Sequence, residues 1–253
     1  MPLGVNFYLS LANSGSYTVG AVPSVRDEDI LFFDGANFSM FFDGSDVGVG
    51  GSDVDAFYIV DANTILISFD TDFTIGALGQ VDDSDIVQFE ATSLGDNTTG
   101  SFVSIFFDGS LVGLETTNED VDAVELLPDG RLLVSTNGNF TIPGVSGRDE
   151  DLAAFTPTTP GDYTSGAWAM YFDGSDVGLS ATDIDGVSVD INGDIYLSMR
   201  DNFTVPGVSG ADEDVFVCRP ISLGDNTACT YLPNLFDGSL WGLDSNDIDA
   251  IAL

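Results

Sequence analysis

Apolar positions in this chain come in short runs, and none keeps the 3.6-residue spacing of a helix for long enough to build one. The stretch Val121-Asp-Ala-Val-Glu-Leu-Leu127 alternates apolar with polar residues and stops at Pro128-Asp-Gly130. Arg131-Leu-Leu-Val-Ser-Thr136 follows at once. This pattern predicts two β-strands joined by a tight turn. Asp151–Thr156 and Ala167–Phe172 are rich in Leu, Ala, Phe and aromatic residues and predict a third and a fourth strand. Gly, Pro, Asp and Ser fill the gaps, as turn chemistry requires.

The same unit recurs. Phe42-Asp-Gly-Ser, Phe107-Asp-Gly-Ser, Phe172-Asp-Gly-Ser and Phe236-Asp-Gly-Ser begin 65, 65 and 64 residues apart. The leading hairpin returns as 53–68 and 183–198. A last copy is cut in two, with Asp247–Leu253 ending the chain and Val5–Ser10 near its start. Four repeats, at about 53–119, 120–182, 183–246 and 247–253 joined to 1–52, therefore fill one domain with no linker between them. Four short antiparallel strands at a fixed period describe the blade of a β-propeller. The split copy predicts that the C-terminal strand completes a blade begun at the N-terminus. That closes the ring and removes free sheet edges. The expected fold is all-β: a four-bladed β-propeller with four antiparallel strands per blade. The strand opened by Asp-x-Asp is expected innermost, because it is small and apolar.

The hairpin turning at Pro128-Asp-Gly130 or Ile191-Asn-Gly193 resembles the inner hairpin of gluconolactonase and NHL-repeat propellers. The blade count resembles that of the hemopexin-like domain. The whole repeat is similar to acidic tandem modules of large secreted or surface-anchored bacterial proteins, through Tyr171-Phe-Asp-Gly-Ser-Asp-Val-Gly-Leu179 and Ser209-Gly-Ala-Asp-Glu-Asp214. This last resemblance implies an extracellular or cell-surface setting and brings no activity with it. The histidine of a lactonase-type metal site has no counterpart, since the chain has none.

Charge sharpens the picture. There are 42 acids against five arginines, with no lysine or histidine, for a net charge of −37. Such a field repels nucleic acid and anionic membranes and attracts cations. No apolar run reaches the ~18 residues of a membrane helix, and Met1-Pro-Leu-Gly-Val-Asn6 is no secretory signal. The chain is therefore expected to be an excised domain or one that is not exported. Of the acids, 35 are Asp and seven are Glu. Adaptation to high salt could use either acid. The Asp excess suggests turns and ligand loops, where a short carboxylate is useful. Cys218 and Cys229 fall near the end of one strand and the start of the next, a spacing that suits a disulfide and an oxidising compartment, with two buried thiols as the alternative.

If the first strand of each repeat runs down the axis, the long second-to-third and fourth-to-first connections share the upper face. The Asp-x-Asp pairs Asp53/Asp55, Asp120/Asp122, Asp183/Asp185 and Asp247/Asp249 then converge at the hub, both acids of a pair on one side of the strand. Two carboxylates ~6 Å apart repel by roughly 3 kcal/mol at an effective dielectric near 20. They must protonate, splay into water or bind cations. An all-oxygen donor set without histidine selects Ca²⁺ over a transition metal. Expected ligands also include the third-strand pairs Asp27/Asp29, Asp83/Asp85, Asp149/Asp151 and Asp212/Asp214, and the Phe-Asp-Gly acids Asp43, Asp108, Asp173 and Asp237. Capping of turns is the alternative for all of these.

Catalysis has little to stand on, with no nucleophile elbow and no phosphate loop. Paired carboxylates can hydrolyse glycosides, but here they recur in every copy. The expected function is a calcium-binding, non-catalytic extracellular module with a structural, adhesive or interaction role. The alternatives are a calcium-dependent carbohydrate-binding module and a metal-dependent hydrolase. Expected partners are divalent cations and a glycan or protein. A homo-oligomer could form through Leu111 and Leu240, which replace Asp46 and Asp176 of the other two copies.

Overall fold

The computed structural model describes residues 6–12 and 15–253. Each hydrophobic run becomes a strand, and the strands assemble into four antiparallel sheets. From the axis outward, the split blade is Ile248–Ala252, Phe7–Leu11, Ile30–Phe33 and Phe38–Phe42. The next is Ala56–Ile59, Thr64–Ser68, Ile86–Ser93 and Thr99–Phe107. Then come Ala123–Leu126, Leu132–Ser135, Leu152–Thr159 and Asp162–Phe172. The fourth is Gly186–Val189, Ile195–Ser198, Asp214–Ser222 and Ala228–Asp237. We call these the split, first, second and third blades. Each innermost strand packs against the innermost strands of both neighbours, so the ring is closed and the fold is a four-bladed propeller. The split copy behaves as its sequence requires: Leu9 pairs with Ile251 on one side and Leu31 on the other. Val5, expected in that strand, lies outside the described residues.

The outer strands reach further than expected. Pro157–Thr159 and Asp162–Ser165, which fall in the Thr- and Gly-rich gap between the third and fourth expected strands, instead lengthen the hairpin that these strands form. The second-to-third connections are not irregular either. Each folds into a small two-stranded hairpin: Tyr17–Val19 with Val22–Val25, Phe73–Ile75 with Gly79–Val81, Phe140–Ile142 with Val145–Gly147, and Phe203–Val205 with Val208–Gly210. The Phe-Thr-Ile/Val segments alternate, and Pro143-Gly144 and Pro206-Gly207 supply a turn whose second residue needs positive φ. Phe140 and Phe203 pin these hairpins into the core.

The repeated Phe-Asp-Gly-Ser motif is a blade-to-blade connector. Its Phe is buried against an aromatic of the following blade: Phe42 on Phe89, Phe107 on Phe155 and Phe236 on Phe33, with ring centroids 5.2, 5.7 and 5.2 Å apart. Such pairs add about 1 kcal/mol beyond their buried area. The Gly starts a single helical turn packed against the turn that leads into the third strand of its own blade. A Cβ at Gly44, Gly109, Gly174 or Gly238 would sit 2.1–2.5 Å from a backbone carbonyl, so no larger residue fits. Both tryptophans pack between blades. Trp168 donates from Nε1 to Val112 O at 2.9 Å, and Trp241 lies edge-on to Phe33.

A disulfide joins Cys218 to Cys229 across the two outer strands of the third blade, with Cα atoms 5.4 Å apart. A cross-link closing so short a loop stabilises by about 2–3 kcal/mol. Cys218→Ala with Cys229→Ala should lower the unfolding free energy by that amount in urea, with the slope on denaturant changing little.

Candidate metal centre

The inner strands bring all four Asp-x-Asp pairs to the upper mouth of the hub. All of these acids except Asp183 line a cavity of about 440 Å³ open to solvent. Asp120, Asp122, Asp183, Asp185 and Asp249 are buried, while Asp53, Asp55 and Asp247 are half-buried. The backbone fixes them there. The residue between each pair of acids donates its N–H to the carbonyl of the acid that opens the third strand of the preceding blade: Val54 to Asp27, Val121 to Asp83, Ile184 to Asp149 and Ile248 to Asp212, all at 3.0–3.2 Å. Directly after the pairs the inner strands carry small buried residues, Ala56, Ala123, Gly186 and Ala250, each paired with a buried serine of the second strand, Ser68, Ser135, Ser198 and Ser10. At Gly186 a Cβ would come within 2.3 Å of Ser198 Oγ, so an alanine there would require that hydroxyl to turn away.

The hub has far fewer donors than carboxylate oxygens. Eight aspartate oxygens there are buried without a hydrogen-bond partner: one each from Asp53, Asp120, Asp183, Asp185, Asp247 and Asp249, and both from Asp122. Buried carboxylates without partners are strongly unfavourable when ionised. Burial is accordingly the first cause of every shift, and neighbouring acids add to it. Asp55 and Asp183 are pushed up to about 7, Asp53 and Asp247 to about 8, and Asp120 to about 9. Asp122, Asp185 and Asp249 are raised well above the carboxylate range. Facing carboxylates can bond only by sharing a proton or a cation. Two groups are close enough to do so around a single ion: Asp53, Asp55 and Asp249, and Asp122, Asp183 and Asp185, with the nearest oxygens of each group within 4.8 Å of one another.

Four rim residues complete the mouth, and the sequence analysis missed them. Each second strand ends in Ser-x-X, where X is Ala12, Asp70, Asn137 or Arg200. These X residues are equivalent: each donates its backbone N–H to the carbonyl of the first acid of its blade's pair, at 3.1–3.3 Å. Their side chains differ. Asp70 accepts from Asp53 N at 2.9 Å, Asn137 donates to Asp120 Oδ2 at 3.1 Å, and Arg200 lies 3.7 Å from Asp183 Oδ2. Aligning the repeats on the serine reveals the position. Its variability hid it from a search for repeated acids.

The other twelve expected ligands take other places. Asp29, Asp85, Asp151 and Asp214 have both oxygens occupied by backbone. One oxygen accepts from the residue three before, and the other from the Phe-Asp-Gly glycine at 2.9–3.2 Å. Asp43, Asp108 and Asp173 cap the helical turn through the N–H of Ser45, Leu111 and Ser175, and Asp237 accepts from Ser239 Oγ. In all of these except Asp237, whose partner is a side-chain hydroxyl, the capping alternative describes the contacts. Asp27, Asp83, Asp149 and Asp212 stay half-buried beside the hub, each acting on the first acid of the next pair. Asp151→Ala should therefore cost about 2–3 kcal/mol by stranding two backbone donors. Denaturation in urea measures that cost, and calorimetry should find cation binding unchanged.

No family model matches the chain, and no curated protein does. Solved structures that align with it include the extracellular domain of a putative one-component system from B. thetaiotaomicron, at 13% identity over 98% of this chain and 37% of that one (TM-score 0.36). A protein of unknown function from Bacteroides caccae aligns at 10% identity over 98% and 97% (TM-score 0.38). Virginiamycin B lyase from Staphylococcus aureus aligns at 10% over 91% and 74% (TM-score 0.34). The chain spans little more than a third of the first of these. Its own coordinates make it a four-bladed β-propeller whose hub is walled with aspartate.

Proposed function

We propose that the protein is a calcium-holding, non-catalytic propeller module of a secreted or cell-surface protein. In this reading the hub cation ties the four blades together, and the faces bind or space other molecules. One observation carries it: eight buried aspartate oxygens around the axis have no donor. Oxygen-only, carboxylate-rich sites of adaptable geometry suit Ca²⁺, which takes six to eight such ligands. The disulfide supports an oxidising compartment, and among the described residues no helix is long and apolar enough to cross a membrane. A hydrolase would need an acid and a base in unlike surroundings. Here burial pushes the hub acids of every blade in the same direction, which favours a holding site.

Elemental analysis of the purified protein, with calorimetric titration of the chelator-treated form, tests this. Calcium should co-purify and rebind. No heat and no retained metal at millimolar calcium would overturn it. The open cavity, with its unlike rim residues, favours one second reading, in which the bound ion presents free coordination positions to sugar hydroxyls. Glycan-array binding that chelator abolishes would support that reading.

A further inference from the structure

Resting on the reading of the hub as a cation site, we infer that it holds two divalent cations, one per aspartate triad, and that the rim makes them unequal. The triads share no residue. Asp249 of the split blade joins Asp53 and Asp55 of the first, and Asp122 of the second blade joins Asp183 and Asp185 of the third. Both include carboxylates more than nine-tenths buried with unpartnered oxygens: Asp249 at 9% exposure in one, and Asp122, Asp183 and Asp185 at 4–6% in the other.

A feature far from the hub repeats this pairing. The outer strand of the split blade bridges to the first blade through Phe42 and Gly95, and that of the second blade bridges to the third through Phe172 and Gly224. Thr98 and Thr227 lock the same two junctions by accepting from Asp43 N and Asp173 N, each at 2.9 Å. Among the described residues, no such bridge links the other two junctions. The propeller is thus two blade pairs, and each pair builds one triad.

Asp70 and Arg200 break this two-fold symmetry. They occupy the same position in the blades that supply two of the three ligands to their respective triads. Asp70 adds a negative charge beside Asp53 and Asp55, while Arg200 lies 3.7 Å from Asp183 Oδ2 and acts first on Asp185 and Asp183 and secondarily on Asp55. A cation entering the second triad meets the guanidinium, whereas one entering the first meets a fourth carboxylate.

Calcium titration by calorimetry, with native mass spectrometry to count bound ions, tests the inference. The wild-type protein should bind two ions with affinities separated by at least about tenfold. Arg200→Gln should tighten the weaker step by about tenfold and move the stronger one by much less. Asp70→Asn should weaken the stronger step by a similar factor. A single ion, two indistinguishable steps, or an Arg200→Gln variant that moves both steps alike would overturn the inference while leaving the hub a cation site. No bound ion at all would overturn both.

Discussion

Chelating calcium at pH 8 should lower the thermal midpoint of this protein by about 10–20 °C. Ligand bound only by the folded state stabilises it by RT ln(1 + [L]/Kd). For a sensor-range Kd of ~10 μM at 1 mM free calcium, that is about 2.7 kcal/mol per site. Two sites give about 5 kcal/mol, and each kcal/mol moves the midpoint of a domain this size by about 2–4 °C. Scanning calorimetry in EDTA and in millimolar calcium reads the shift directly. Coincident midpoints would remove the hub cation from any structural role. Adaptation to high salt predicts another pattern. Molar potassium chloride would then restore the midpoint as well as calcium does, by screening the charge of −37 without filling a site. Asp122→Asn separates the two further. Both Asp122 oxygens are buried without a partner, so the neutral amide should raise the midpoint in chelator. It should also remove part of the calcium increment, which a screening mechanism would leave intact.

The architecture was legible because it rests on backbone periodicity. Four copies of a strand pattern, one split between the ends, leave little besides a closed ring, and the pairing of Phe7–Leu11 with Ile248–Ala252 meets that demand. The hub acids were legible for the same reason, since a repeated Asp-x-Asp at the head of the innermost strand must converge on the axis. Repetition then misled. Asp29 and Asp53 look alike in sequence, each belonging to an Asp-x-Asp pair in a recurring motif. The oxygens of Asp29 are taken by the N–H groups of Arg26 and Gly44, whereas Asp53 Oδ1 has no partner. That difference depends on which backbone amides fold back toward the side chain, which spacing along the chain does not encode. The rim was overlooked for the opposite reason. Ala12, Asp70, Asn137 and Arg200 share no chemistry, so only the register of the second strands relates them. The blade pairing was half visible. Asp176 and Leu240 mark the alternation in sequence, and Asp176 accepts from Thr227 N at 3.0 Å within a latched junction. Leu111 and Leu240 are exposed on the helical turns of the other two.

Stability should also change its dependence on pH when calcium is removed. In the cation-free protein the hub carboxyls have folded pKa values raised from ~4 to about 7 for Asp55 and Asp183, about 8 for Asp53 and Asp247 and about 9 for Asp120. Below pH ~4 both states are protonated, and the stabilisation due to these groups is fully present. As pH rises above ~4 the unfolded chain gives up these protons, while the folded hub retains them until pH approaches 7–9. The unfolded state then binds fewer protons, and stability falls by up to about 1.4 kcal/mol per pH unit for each such group until its folded pKa is passed. Several groups acting together would exceed the ~5–15 kcal/mol available to a domain, so the chelator-treated protein should lose most of its stability between pH 5 and pH 8. Calcium bound at the proposed sites would replace the shared protons and hold the carboxylates ionised, which would remove this slope. Glu125, raised to about 8 by its burial away from the aspartate ring, keeps its own smaller contribution of the same sign in both forms. Midpoints measured from pH 4 to 8 should therefore nearly coincide at the acid end and diverge steadily toward the alkaline end. Parallel curves, with or without calcium, would mean that the ion sits somewhere other than among these aspartates.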